Sequence, residues 1–128
     1  YIILNDSDKD ETIQKIMLEI ENTDETLTKV FINSDEAWEL MTPQTTLIIV
    51  DTSDASRVID AAILSKANKK VIIDHHRRGE DIITNPLLTY IEPYASSSSE
   101  LIAELIEYQT KIEKITPLAA TVMLGGNR

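Results

Sequence analysis

Two short segments of the chain end in side chains that can bind a metal ion. The apolar run 71–73 leads into Asp74–His76, which contains both histidines of the chain, and two arginines follow directly. A similar apolar run, Leu47–Val50, ends at Asp51. Carboxylates and neutral imidazoles bind hard-to-borderline divalent ions such as Mn²⁺, and a bound ion activates water and polarises a phosphoryl oxygen. The pattern therefore predicts metal-dependent hydrolysis of a phosphate ester.

The two runs are predicted to be parallel strands of one βαβ unit. Strand 47–51 is followed by a helical pattern over 55–67 and then by strand 70–74. A right-handed crossover brings the carboxyl ends of such strands to the same edge of the sheet, where ligands bind in open α/β folds. We therefore expect the metal-facing side chains of Asp51 and His75 to lie within roughly 7 Å, the reach of a binuclear site with ions ~4 Å apart.

The rest of the chain alternates between strand and helix in the same way. This alternation predicts an α/β fold, with a parallel sheet, flanking helices and Rossmann-like βαβ units. Strand 47–51 is apolar throughout, which is typical of a strand covered on both faces, and the prolines at 86 and 93 favour an edge position for strand 87–92. The other predicted strands are 1–4 and 29–32, and the other helices open at 5–8, 34–36, the serine run 96–99 and Thr116-Pro117.

Two further groups of residues near the histidines suit a phosphate ligand. Arg77 and Arg78 could offset its negative charge with the bidentate geometry that guanidinium provides. Ser97-x-x-Glu100 fits a capping box at the start of a helix. A helix N-terminus also binds phosphate, so Ser97 and Ser98 are predicted both to cap the helix and to contact the substrate.

Purely structural explanations compete with these assignments. An aspartate after a strand is often only the cap of the following turn. This explanation is possible for Asp51 taken alone. For Asp54 it is the interpretation we favour. The histidine pair is harder to explain structurally, because an acid precedes it and two arginines follow it. A nucleophilic triad is excluded, since the chain has no cysteine and both histidines belong to one triplet.

Composition limits the classes of function. A chain of 128 residues suits one domain with one core, and its formal net charge of −10 argues against a long nucleic acid as partner. Without cysteine there is neither a disulfide nor a thiolate metal site. No apolar run approaches the ~20 residues that cross a bilayer, so we expect a soluble segment without membrane contact. The chain starts within a strand and stops without a terminal element, which predicts an excerpt of a longer protein.

Three segments, in order, resemble one protein family. They are VDTSD at 50–54, IDHHRRGE at 73–80 and YIEPYASSSSELIAELI at 90–106. Over nearly its whole length the chain resembles the DHH phosphoesterase superfamily, and within it the membrane-associated GdpP/YybT-type cyclic-di-AMP phosphodiesterases. The resemblance implies that residues 1–128 are part of a single DHH domain, truncated at both ends, on the cytoplasmic side of a membrane-anchored protein that could form a homodimer.

The same resemblance implies an activity and a role for each site residue. The family uses a two-metal site, usually with Mn²⁺, to linearise cyclic-di-AMP to pApA. Asp51 would be a bridging metal ligand, and His75 would bind one metal through an imidazole nitrogen. Asp74 would support these ligands without binding the ion, and His76 would face the substrate phosphate. The two arginines that follow match the basic pair of the family.

Other motifs of the family are missing from this segment. The motif His-x-x-x-Asp-x-Asp is expected before Tyr1, a last aspartate ligand is expected near Arg128, and the associated substrate domain should follow. We therefore expect the isolated segment to hold an incomplete set of ligands. Two alternatives stay open: a DHH phosphoesterase for short oligonucleotides, bisphosphates or pyrophosphate, and a non-catalytic sensor or interaction domain with a degenerate DHH fold.

Overall fold

The computed structural model describes residues 1–77 and 79–109. The chain divides into two compact units, Tyr1–Thr42 and Pro43–Arg128, and each contains parallel strands with helices between them. The predicted α/β class is therefore confirmed. Among the described residues, none of the helices combines the length and apolarity that crossing a bilayer requires.

The first unit contains one pair of strands and two helices. Strand β1 (Ile2–Ile3) pairs in parallel with β2 (Phe31–Ile32), and helix α1 (Glu11–Thr23) lies between them in the chain. Helix α2 (Ser34–Leu40) begins after a full capping box formed by Asn33 and Glu36. The cap of α1 was predicted at 5–8, two to five residues early, because 6–8 form a separate 3-10 turn and the Asp10 side chain caps the helix instead.

The second unit is a three-stranded parallel sheet. Its strands β3 (Thr46–Val50), β4 (Lys69–Asp74) and β5 (Leu88–Ile91) lie in the order β3-β4-β5. Within this sheet β5 is at an edge, as the flanking prolines predicted. The register pairs Val50 with Ile73 and Asp74 with Ile91. The residues that follow β3 and β4 therefore emerge side by side.

The helical segment predicted over 55–67 is interrupted. A 3-10 turn, Ala55–Arg57, comes first, and helix α3 (Ala61–Lys66) begins only after Asp60, whose carboxylate accepts hydrogen bonds from two backbone amides of α3. Each part thus has its own acidic cap. The hydrophobic spacing alone predicts one continuous helix over this segment and does not show where it is interrupted. Helix α4 (Ser98–Gln109) begins within the serine run 96–99, where its start was predicted, whereas the helix predicted from Thr116 lies outside the described residues.

The core of the second unit includes a cluster on one face of its sheet. Ile49, Ile72 and Ile83 are 8%, 1% and 3% exposed and form one cluster. The expectation that both faces of β3 are covered was wrong: Ile48 and Val50 are 59% and 50% exposed. An apolar run does not specify which face is packed, and β3 lies at an edge of the three-stranded sheet, where alternate side chains face away from the cluster.

Candidate metal centre

The ends of β3 and β4 bring Asp51 and His75 together. The strands are parallel and adjacent, so both residues leave the sheet at the same edge. Nε2 of His75 lies 3.5 Å from Oδ1 of Asp51. The distance predicted from the sequence is therefore confirmed, although a distance by itself does not assign a role.

The backbone of Asp51 turns sharply as β3 ends. Its amide still donates to the carbonyl of Ile73 at 2.9 Å, which continues the ladder between the two strands. Its φ of 68° lies in the left-handed region, which aspartate tolerates better than most non-glycine residues. The side chain is 65% exposed beside His75. Strain of this kind is common at functional sites, where the surrounding structure maintains it.

Asp74 is the buried centre of this edge. The residue is 0% exposed, and its Oδ1 accepts from the amides of His75 and His76 at 2.8 and 3.2 Å and from Nδ1 of His76 at 2.7 Å. Burial raises the pKa of this carboxyl, but the hydrogen bonds from His76 and the nearby Ser53 hydroxyl outweigh it, so the pKa is lowered from its ordinary value. Asp74 is therefore a charged acceptor that orients both histidines.

The hydrogen bonds identify the protonated nitrogen of the His76 imidazole. A carboxylate can only accept, so Nδ1 of His76 donates to Asp74 at 2.7 Å. In the neutral His76 ring Nε2 then keeps a lone pair, which is the form that binds a metal ion. The ring of His75 lies between two acceptors, with Nδ1 3.4 Å from the carbonyl oxygen of Ala95 and Nε2 3.5 Å from Oδ1 of Asp51.

Three potential ligand atoms converge at this edge. Asp51, His75 and His76 each offer one, and these atoms lie within 4.8 Å of one another. Two atoms that are each about 2.1 Å from one ion are at most about 4.2 Å apart, so the 3.5 Å between Asp51 and His75 fits shared coordination. One carboxylate and two imidazoles suit a borderline divalent cation. The residues present thus fit part of a metal site.

The structure gives less information about the two arginines that were predicted to contact the substrate. Arg77 is exposed and makes no ion pair within residues 1–77 and 79–109, and Arg78 lies outside the described residues. Their assignment as substrate contacts consequently stays a prediction.

The serine run begins beside His75. Ser97 accepts a hydrogen bond from the amide of Glu100 at 3.2 Å, as the predicted cap requires. The reciprocal bond differs from a standard capping box, because Glu100 accepts from the amide and hydroxyl of Ser96 at 2.7 and 2.8 Å. Ser97 and Ser98 are 8% and 6% exposed, and among the described residues the buried hydroxyl of Ser98 has no hydrogen-bond partner. That hydroxyl is available to a ligand, whereas the amide of Glu100 already donates to Ser97.

Asp54 has the structural role that we favoured. Its Oδ1 accepts from the amide and hydroxyl of Ser56 at 2.9 and 2.7 Å, which caps the 3-10 turn. The same segment bonds to the loop that follows the histidines, through Ala55 to Asp81 at 2.7 Å and through Ile83 to Ser53 at 3.0 Å. These bonds anchor the two loops of the site to each other.

Sequence reasoning missed two contributors to the site. Ser53 is only 4% exposed and favours the charged form of Asp74. The carbonyl of Ala95 contacts His75 from 20 residues away. A buried serine within VDTSD gives no signal beyond that of a turn, and a backbone carbonyl gives none, because any residue type supplies one.

Comparison with known proteins agrees with this geometry. A family model described as "DHH family, N-terminal domain" matches residues 3–126. The chain belongs to the DHH family. Its characteristic triplet is Asp74–His76, the segment whose carboxylate and imidazoles form the edge described above.

Three relatives of this DHH chain are named as cyclic-di-AMP phosphodiesterases. The cyclic-di-AMP phosphodiesterase GdpP of Bacillus subtilis (strain 168) is 42% identical over 98% of the chain, and that of Geobacillus thermodenitrificans (strain NG80-2) is 53% identical over 74%. The cyclic-di-AMP phosphodiesterase PdeA of Listeria monocytogenes serotype 1/2a (strain 10403S) is 38% identical over 98%. The chain covers 19%, 14% and 19% of these relatives, so it spans at most about a fifth of their length.

Proposed function

We propose that this DHH chain is part of a metal-dependent phosphodiesterase that hydrolyses cyclic-di-AMP to pApA. The observation that carries the proposal is the convergence of Asp51, His75 and His76 at one edge of a parallel sheet. The names of the relatives, at 38–53% identity, support cyclic-di-AMP as the substrate. We also propose that residues 1–128 are part of one DHH domain in a longer, membrane-anchored protein that has this domain in the cytoplasm and acts as a homodimer.

We assign Asp51 and His75 as ligands of Mn²⁺ in a two-metal site that residues outside this segment complete. The bound ions would supply water of lowered pKa and polarise a phosphoryl oxygen. The exposed carboxylate of Asp51 and Nε2 of His75 are 3.5 Å apart, and His75 is held by Ala95 and by the backbone bond to Asp74. This arrangement presents both donors without a change of backbone.

Asp74 and His76 act together at the substrate in this proposal. Because Nδ1 of His76 donates to the buried carboxylate, the ring has an Nε2–H only when it is protonated, and the carboxylate offsets that positive charge. The protonated ring can donate to a phosphoryl oxygen and stabilise the charge that develops there in the transition state. Its half-exposed position, 48%, leaves it accessible to a ligand.

Four further residues would bind the phosphate groups of the dinucleotide. Arg77 and Arg78 follow the histidines and offer guanidinium groups. Ser97 and Ser98 belong to the start of α4, where the unpaired hydroxyl of Ser98 can donate to an anion at the helix N-terminus.

The test is an assay of the protein that contains this chain, loaded with Mn²⁺, on cyclic-di-AMP, pApA and pyrophosphate. We expect cyclic-di-AMP to be converted to pApA and Asp51→Asn to abolish the reaction. Asp54→Asn is the matched control, because it changes the same charge three residues away and asparagine still caps the turn. Preferred hydrolysis of pyrophosphate or pApA, or full activity in Asp51→Asn, would contradict the proposal.

A further inference from the structure

A tight turn at residues 92–95 connects β5 to the serine run. The amide of Ala95 donates to the carbonyl of Glu92 at 3.0 Å, which closes a four-residue β-turn. Pro93 occupies the second position, where the fixed φ of proline suits the turn, and Tyr94 occupies the third. The backbone that carries Tyr94 therefore has a defined conformation in the absence of a ligand.

Both ends of this turn contact the DHH triplet. The amide of Glu92 donates to the carbonyl of Asp74 at 3.1 Å, which extends the ladder between β4 and β5 by one residue. The carbonyl oxygen of Ala95 lies 3.4 Å from Nδ1 of His75. Because Cα atoms of consecutive residues are about 3.8 Å apart, the Cα of Tyr94 is at most about 10 Å from that nitrogen. The turn thus places Tyr94 at the same edge of the sheet as the candidate metal centre.

The aromatic ring at this position is exposed. Tyr94 is 97% exposed, so its ring adds almost no buried apolar area to the folded chain, although a tyrosine can bury about 150 Å² or more. The third position of such a turn does not require an aromatic residue. A ring with both faces accessible, next to a metal centre and on a fixed turn, is suited to contact a ligand.

We propose that Tyr94 is a stacking platform for one purine base of the substrate and is therefore a specificity-determining residue of this site. Unpaired bases stack on aromatic side chains, and every base has a face that suits this contact. The base is uncharged at neutral pH, so stacking attracts a nucleotide without opposition from the net charge of −10. Only one ribose separates a base from its phosphate, which places the base of a metal-bound nucleotide within reach of the ring. The identity of that nucleotide as cyclic-di-AMP rests on the proposed function.

Two other roles of an exposed tyrosine give different results in variants. In the first the hydroxyl donates to a phosphate, and in the second the ring packs against a further segment of the longer protein. Tyr94→Phe removes only the hydroxyl, whereas Tyr94→Leu keeps apolar bulk without an aromatic face. Tyr108→Leu is the matched control, because Tyr108 is 80% exposed and lies near the end of α4, far along the chain from the turn.

The test compares the binding of AMP and of ribose 5-phosphate, by calorimetry, to the Mn²⁺-loaded protein that contains this chain. The two ligands carry the same phosphate group and differ in the base. We expect Tyr94→Leu to weaken AMP binding roughly tenfold and to leave ribose 5-phosphate binding unchanged. Tyr94→Phe and Tyr108→Leu should bind both ligands as the wild type does, and the thermal midpoints of all variants should be equal.

Several outcomes would overturn the stacking role. They are equal affinity of the wild type for the two ligands, unchanged AMP affinity in Tyr94→Leu, and an equal loss of both ligands in that variant. A loss in Tyr94→Phe would assign the contact to the hydroxyl, and a lowered thermal midpoint in Tyr94→Leu would assign the ring to packing.

Kinetics on cyclic-di-AMP separate this inference from the proposed function. Stacking is present in both the bound substrate and the transition state, so Tyr94→Leu should raise KM roughly tenfold with kcat unchanged. If the wild type does not hydrolyse cyclic-di-AMP but binds AMP through Tyr94, the stacking role stands and the proposed substrate is wrong. If it hydrolyses cyclic-di-AMP with the same KM in Tyr94→Leu, the proposed function stands and the stacking role is wrong.

Discussion

The two histidines of the DHH triplet are adjacent in sequence but are held by different partners. His75 bonds to a backbone carbonyl and faces Asp51, whereas His76 bonds to the buried carboxylate of Asp74. Their ring centroids are 4.2 Å apart and the rings are tilted by 50°. One strand end thus supplies two imidazoles with separate orientations, which is what separate roles at a metal and at a phosphate require.

Substitution of each histidine tests this division. In the protein that contains this chain, His75→Ala should reduce both metal content and activity. His76→Ala should retain the metal and lower kcat by about 10²-fold, as loss of one donor to a developing oxyanion does. Metal analysis together with steady-state kinetics makes the comparison. If His76→Ala empties the site while His75→Ala retains the metal, the two roles are reversed.

Asp74→Asn should destabilise the fold although it changes only one side-chain atom. The amide oxygen can accept in place of Oδ1, but it is an uncharged and therefore weaker acceptor for Nδ1 of His76 and the amides of His75 and His76. Losing a charged acceptor at this buried position costs about 2 kcal/mol of unfolding free energy. Urea denaturation of the variant and the wild type measures the difference, and equal midpoints would show that burial of Asp74 is immaterial.

At the scale of elements, the site depends on how each strand end and helix start is capped. Asp54 caps the turn after β3, and Glu100 and Ser97 cap α4. These acceptors satisfy amides that the short elements leave unpaired. The two loops that carry Asp51 and the histidines are also joined, because the amides of Ala55 and Ile83 bond across them. Local capping therefore limits the movement of the ligand side chains.

The cap at Asp54 should give stability that depends on pH. The hydrogen bonds from Ser56 lower the pKa of this carboxyl below its ordinary value of 3.8. A carboxyl whose pKa is lower in the folded state stabilises the fold above its unfolded pKa, and that contribution is lost as the pH falls toward the folded pKa. Asp54→Ala should consequently lower the thermal midpoint at pH 7 and much less at pH 3. Thermal unfolding at both values measures this, and an equal deficit at both would exclude the charged cap as the cause.

At the scale of the whole chain, the formal charge of −10 makes the proposed metal centre the expected point of attraction for a phosphate. The chain has 22 acidic and 12 basic side chains, so the long-range electrostatics of this segment repel anionic ligands. Binding of the proposed dinucleotide would then depend on short-range contacts with the metal ions and the residues around them.

Metal binding should also stabilise the folded protein. A ligand that binds only the folded state raises stability by RT ln(1 + [L]/Kd), which is about 2.7 kcal/mol at one hundred times Kd. Mn²⁺ should therefore raise the thermal midpoint of the protein that contains this chain, and a chelator should reverse the increase. His75→Ala should show little response. A response of the same size in that variant would place the stabilising ion elsewhere.

The sequence alone determined the α/β class, the strands that lead to Asp51 and the histidines, and the shared edge at which those residues lie. These features depend on hydrophobic periodicity and on the handedness of βαβ units, both of which are local or general. Even so, the hydrophobic spacing over 55–67 predicted one continuous helical segment, whereas the structure has two, each with its own aspartate cap.

Only the tertiary structure decided the orientation of the site. It placed Oδ1 of Asp74 within hydrogen-bond distance of three donors and buried Ser53 beside it. It also brought the Ala95 carbonyl close to His75. It also left Ile48 and Val50 exposed on a strand whose composition predicted burial of both faces. Hydrogen bonds to backbone groups and the choice of packed face depend on which segments meet in space. The residue type at one position does not encode these features, because every residue carries a carbonyl and an apolar strand can pack on either face.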